Sequence, residues 1–242
     1  MLAKHFVKAM LPHDWMIQTD GKTDAEMMKS AQKPGNPSET GAAGGLSDLQ
    51  ALVERAGSRK KGLPPVDRWH PDFCGDLDIV IKRDGTWFYL GTPIGRMPLV
   101  KLFSTVLRKD DDGRTYLVTP VEKIGITVED APFIAVEMNA SHRDGEQVLT
   151  FRTNVGDIVE AGPENPIRYE IVNDNEGVKP YLLVRGRLEA LLARPVMYEL
   201  ISHGEEIEVD GKLMFALRSK GEVFPIMPAD ELDRLSKMDN HE

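Results

Sequence analysis

Two arginines stand just ahead of prolines: Arg96 two residues before Pro98, and Arg194 directly before Pro195. Proline favours the first turn of a helix, so both arginines are expected at helix N-termini. Free N–H groups and the positive dipole end there add to a guanidinium and favour a phosphate or carboxylate. The competing reading pairs each arginine with an Asp or Glu across an interface. Arg168 can assist an anion site, and Asn154 has a side chain suited to ligand contact. Trp87 and Tyr89 fall on one face of a strand, because side chains alternate, and either ring can stack a base.

Other reactive types are less directive. Glu129-Asp130 before Ala131-Pro132 is a carboxylate pair able to act as general acid and base, or to close a turn. His70, Asp72 and Cys74 alternate with Trp69 and Phe73, a pattern expected of a segment packed on a core, with Cys74 a small buried hydrophobe. Asp110-Asp111-Asp112-Gly113 reads as a charged hairpin tip, since a calcium loop would need an acid at Arg108 and glutamate at Thr119. The six histidines are not at ligand spacing, and no metal or other cofactor is expected. No Gly-x-Ser-x-Gly, His-Glu-x-x-His or phosphate-binding Gly-Lys-Ser/Thr run occurs.

The net charge of −9 lies outside residues 1–45, where five lysines meet five acids. So acidic a remainder argues against nucleic acid and anionic membrane as partners. No apolar run approaches the roughly 18 residues that span a bilayer. The single cysteine fits a reducing cytoplasm.

The elements that position these residues are mostly strands. Asp-Gly pairs at 84–85, 112–113, 144–145 and 210–211 each lie between β-branched or aromatic runs, as hairpin turns require. A further turn at 173–177 joins Ile167–Val172 to Tyr181–Val184. Helices are expected at about 48–57, 98–107 and 188–202, the last with a break near Pro195. An offset of 98 residues superposes Arg96 on Arg194, Leu102 on Leu200, and Asp112-Gly113 on Asp210-Gly211. This suggests a duplicated helix-plus-hairpin unit. The expected fold is α+β, two antiparallel hairpin–helix–hairpin halves. The divisions are a tail and linker over 1–45, a lead-in helix and turn over 46–61, halves over 62–157 and 158–230, and a tail over 231–242. Translation starting at Met27 or Met28 would make part of the first segment non-native.

The runs Leu63-Pro-Pro-Val66, Trp69-His-Pro71, Cys74-Gly-Asp-Leu-Asp-Ile79, Gly91-Thr-Pro-Ile-Gly-Arg96, Val128-Glu-Asp-Ala-Pro-Phe133 and Arg194-Pro-Val-Met-Tyr-Glu-Leu200 resemble a bacterial family classed as domain of unknown function 1285. The resemblance covers about residues 62–228. It implies a duplicated core with an interface cleft, and a C-terminal half somewhat like a pleckstrin-homology barrel. It also implies a nucleotide-like ligand in that cleft and a signalling role, with no catalytic residues to carry over. The expected function is a cytoplasmic regulatory module that binds a small anionic ligand between the halves through Arg96, Arg194 and Arg168. Two alternatives stand: a hydrolase or transferase using Glu129 or Asp130, and a protein-interaction or homodimerisation domain.

Overall fold

The computed structural model describes Leu46, Gln50, Ala51, Val53, Glu54 and residues 62–171 and 178–238. The readings made for residues 1–45, for the turn at 173–177 and for most of the helix at 48–57 lie outside these residues. After a 3-10 turn at Val66–Arg68, the first sheet is built from β1 (Phe73–Ile81), β2 (Trp87–Tyr89), β3 (Thr92–Pro93), β4 (Leu107–Lys109), β5 (Thr115–Val118) and β6 (Lys123–Val128). Helix α1 (Met97–Ser104) interrupts it between β3 and β4. The second sheet holds β7 (Phe133–Arg143), β8 (Glu146–Thr153), β9 (Ile158–Glu160), β10 (Ile167–Ile171), β11 (Val178–Arg185) and β12 (Leu188–Leu192). Helix α2 (Arg194–Ile201) leads to a three-stranded sheet of β13 (Glu205–Val209), β14 (Lys212–Ser219) and β15 (Glu222–Pro228), closed by α3 (Ala229–Met238).

The two large sheets have one strand order. The first runs β3-β2-β1-β6-β5-β4 and the second, from its other edge, β9-β8-β7-β12-β11-β10. Each is a pair of antiparallel meanders joined by a central parallel pair, β1 with β6 and β7 with β12. Duplication is therefore visible at the level of whole sheets, and the expected antiparallel hairpin–helix–hairpin unit is replaced. Helix α1 lies inside the first unit, whereas α2 follows the second. The division between units falls at 129–132, so β7 and β8 go with the second sheet and not, as expected, with a half ending at 157. The second sheet is open, with β9 and β10 at its edges, and is not a closed barrel.

Asp-Gly does two different things at the hairpin tips. At 144–145 and 210–211 both residues have positive φ, the two-residue turn whose twist matches the flanking strands. At 84–85 and 112–113 only the glycine does. There the aspartate side chain accepts the N–H two residues on, Asp84 from Thr86 and Asp112 from Arg114, each at 2.9 Å.

Residues 188–192, read as helix, form strand β12, and the break near Pro195 is the strand–helix boundary. Leu-Glu-Ala-Leu-Leu has high helix propensity, but a central strand buries Leu188, Ala190 and Leu192 on one face and Leu191 on the other. Tertiary context wins. Helix α1 buries Leu99, Val100 and Phe103 and ends where the Ser104 and Thr105 hydroxyls donate back to Lys101 O and Leu102 O. One core takes side chains from both large sheets and α1, among them Ile79, Ile81, Phe103, Phe133, Phe151 and Leu192. A smaller core under α2 joins Met197 and Ile201 to Phe215, Met227 and Leu232, so part of the segment read as a tail from 231 is packed helix.

Candidate functional site

Between the two large sheets lies a cleft of about 870 Å³. Its walls come from three distant stretches: the lead-in at 63–70, the β4 arm and its tip at 105–112, and the β11–β12 turn at 185–188. Each wall is held by an arginine. Arg108 donates to Val66 O at 2.9 Å and Trp69 O at 2.7 Å, and its Nε reaches Asp110 at 2.6 Å, so it ties the lead-in to the β4 arm. Asp110 also takes Lys123 Nζ at 2.6 Å. Burial pushes the Asp110 carboxyl up, but the hydrogen bonds from Arg108 and Lys123 prevail and hold it below its ordinary value.

Arg185 clamps the second sheet to helix α1 of the first unit. It donates to Asp157 at 2.6 Å and to Ser104 O, at the end of α1, at 2.7 Å. Its guanidinium lies 4.7 Å from the centre of the Phe133 ring. Arg187, two residues on, pairs with Asp111 across the cleft, with side chains 58% and 89% exposed. Asp112 is committed elsewhere, to the Tyr116 hydroxyl at 2.5 Å and the Arg114 N–H at 2.9 Å. Arg108, Lys109, Arg185 and Arg187 face Asp67, Asp110, Asp111 and Asp112, so the lining is balanced in formal charge. His70 lines the same cleft.

The residues singled out in the sequence are dispersed. Arg96 and Tyr89 do meet, in a second cavity of about 280 Å³ lined also by Leu46, Ile94 and Leu99. Arg96 is the residue that caps α1, whereas Arg194 is the first residue of α2, so the two are not equivalent positions. Arg194 lines neither cavity, and its Nε donates to the Tyr198 hydroxyl at 3.1 Å. Arg168 is taken by Glu189 in a bidentate pair at 2.6 and 2.8 Å and by Glu170 at 3.3 Å, over the Tyr181 ring. Its pKa is pushed up, first by the Glu189 hydrogen bonds. Trp87 is 1% exposed and belongs to the core, its indole Nε1 without a hydrogen-bond partner among the described residues, so it has no face to offer a base. Asn154 bonds both backbone groups of Ile134, its Oδ1 accepting at 3.1 Å and its N–H donating at 2.8 Å, beside the bulge in β7.

The carboxylate pair is structural. Glu129 accepts from Lys82 Nζ at 2.6 Å and Arg83 N at 3.2 Å, and the Lys82 hydrogen bond chiefly lowers its pKa. Asp130 turns the other way, accepting from Lys179 at 2.8 Å and the Tyr181 hydroxyl at 2.7 Å. Together they pin the junction to both sheets, and neither lines a cavity described above. Cys74, expected to be buried, is exposed and lies outside the cleft that His70 lines. Among the described residues no three His, Cys, Asp or Glu side chains could hold a metal ion, and no helix is long and apolar enough to cross a membrane.

Sequence reasoning missed Arg108, Arg185, Arg187 and Asp111. The signal available was a basic turn, Arg185-Gly-Arg187, and an acidic one, Asp110–Asp112. Nothing local says that these two turns face each other.

Known proteins divide the chain at the same junction. A family model described as domain of unknown function (DUF1285), N-terminal domain, matches residues 64–131, and one for the DUF1285 C-terminal domain matches 132–226. The chain belongs to the DUF1285 family. A crystal structure of a DUF1285 family protein from Silicibacter pomeroyi DSS-3 is similar at 47% identity and a TM-score of 0.70, covering 80% of this chain and 100% of that one. A DUF1285 family protein from Shewanella baltica OS155 matches at 27% identity with a TM-score of 0.42, over 52% of this chain and 91% of that one. No curated protein matches.

Proposed function

We propose that this DUF1285 protein is a regulatory module, working in the cytoplasm, whose inter-sheet cleft takes a small anionic ligand, nucleotide-like ligands included. The observation that carries the reading is Arg187. It lines a cleft large enough for such a ligand, and its only partner among the described residues is an exposed carboxylate. An exposed ion pair contributes little, so a ligand anion can compete for that guanidinium. The ligand would touch both sheets at once and so report its presence through their relative placement, which is what a signalling role needs.

The test is thermal stabilisation by a panel of nucleotides and other small anions, in wild type and in Arg187→Ala. A ligand present at a hundred times its Kd stabilises by about 2.7 kcal/mol. For a chain of this size that is a rise of about 5–10 °C. The rise should be lost in Arg187→Ala. A panel that shifts nothing, or shifts the variant equally, refutes the reading.

A further inference from the structure

We propose that Asp111 is a built-in occupant of the anion site, a carboxylate that the ligand must displace from Arg187. The inference rests on the reading of the cleft as an anion site and adds its regulation and the charge of what it binds.

The charged groups of the cleft differ in how firmly they are held. Arg108 has three partners, Asp110 and two carbonyls, and Asp110 is held in turn by Arg108 and Lys123. Arg185 has a carboxylate and a carbonyl. Both oxygens of Asp112 are engaged. Asp111 differs: its contact among the described residues is Arg187 alone, and its side chain is 89% exposed. It sits at the tip of the β4–β5 hairpin, and Arg187 is in the β11–β12 turn, so the pair bridges the two sheets at the mouth of the cleft. Of all the pairs here, it is the one that an arriving anion can exchange without breaking a wall.

Charge gives the class of ligand. With Asp111 in place the four basic side chains are matched by four aspartates. When Asp111 swings out, the lining is left with one excess positive charge. The matching ligand carries a single negative charge on a polar body, such as one phosphodiester or one carboxylate. A polyphosphate would meet Asp67, Asp110 and Asp112 with unmatched negative charge. Ligand and Asp111 are mutually exclusive on one guanidinium, so binding frees the β4–β5 tip from the second sheet.

The experiment follows, by nuclear magnetic resonance, the backbone amide signals of the two turns that line the cleft, 109–112 and 185–188, while sodium phosphate replaces chloride at constant ionic strength. Wild type, Asp111→Asn, Asp67→Asn and Arg187→Ala are compared. Removing a competing exposed pair should tighten phosphate binding about two- to fivefold in Asp111→Asn. Asp67→Asn removes the same charge from the same cleft and should change affinity less. An Asp111→Asn protein that binds no tighter than Asp67→Asn overturns the displacement while leaving the cleft as the anion site. Phosphate that binds Arg187→Ala as well as wild type, or binds none of the four, overturns both.

Discussion

Arg185 should carry a measurable share of the molecule's stability. Arg185→Ala removes an ion pair with Asp157 in which both side chains are about one-fifth exposed, a charge-assisted bond to Ser104 O, and a stack on Phe133. Pairs this sheltered lie between the exposed case, about 0.2–1 kcal/mol, and the fully buried one, where deleting one partner costs about 3–5 kcal/mol. A hydrogen bond to a charged group adds about 1.5–3 kcal/mol and a cation–π contact about 0.5–1 kcal/mol, though the terms are not additive. A total near 3 kcal/mol follows, or a fall in Tm of about 6–12 °C. Urea unfolding followed by circular dichroism measures it. A double-mutant cycle with Asp157→Ala should return a coupling of about 1–2 kcal/mol. Arg143, which pairs with Glu160 on the open surface, is the control and should lose little when truncated. If Arg185→Ala loses less than about 1 kcal/mol, water substitutes for the clamp and the reasoning is refuted.

Tyr169→Phe should leave stability unchanged or raise it by up to about 1 kcal/mol, because the buried hydroxyl it deletes has no hydrogen-bond partner among the described residues. A loss above about 1 kcal/mol in chemical denaturation would reveal a buried partner such as a bound water. Asp110 gives a pH signature: its folded pKa is depressed, so its contribution is present above the unfolded value and is lost as pH falls through the folded one. The stability difference between wild type and Asp110→Asn, from urea midpoints between about pH 5 and pH 3, should therefore shrink with falling pH. A difference that grows instead would refute the assignment of Arg108 and Lys123 as the stabilising partners.

What was legible in the sequence was local. The Asp-Gly tips located four hairpins because turn chemistry is decided within a few residues, and the flanking runs pair as expected, Ile79 with Tyr89 and Met214 with Ile207. Arg96 and Tyr89 lie near each other because only a short turn and the two-residue strand β3 separate them. The central parallel pairs were not foreseen. Phe73 beside Lys123 and Phe133 beside Ala190 are long-range contacts that leave no periodic mark. Leu188–Leu192 misled because helix propensity is a weak prior against burial on both faces. The cleft was illegible for a related reason. A repeated arginine–proline motif stood out in one dimension, while the arginines that line the cleft are brought together only once the sheets are stacked.

The parallel pair at the centre of each large sheet also fixes when that sheet can form. β1 is the first strand made and β6 the last, yet they are neighbours, and the same holds for β7 and β12. On the ribosome, neither unit can be sealed from its hairpins as they emerge. Each waits with its central strand open on one side until its final strand has left the tunnel. During that interval β1 is guarded by Asp76 and Asp78, charges that discourage pairing with another chain. The opening of β7, Phe-Ile-Ala-Val, has no such guard until Glu137. Its exposure ends only when Leu188–Leu192 has been made, so the stretch between those two events is where a nascent chain is most open to association.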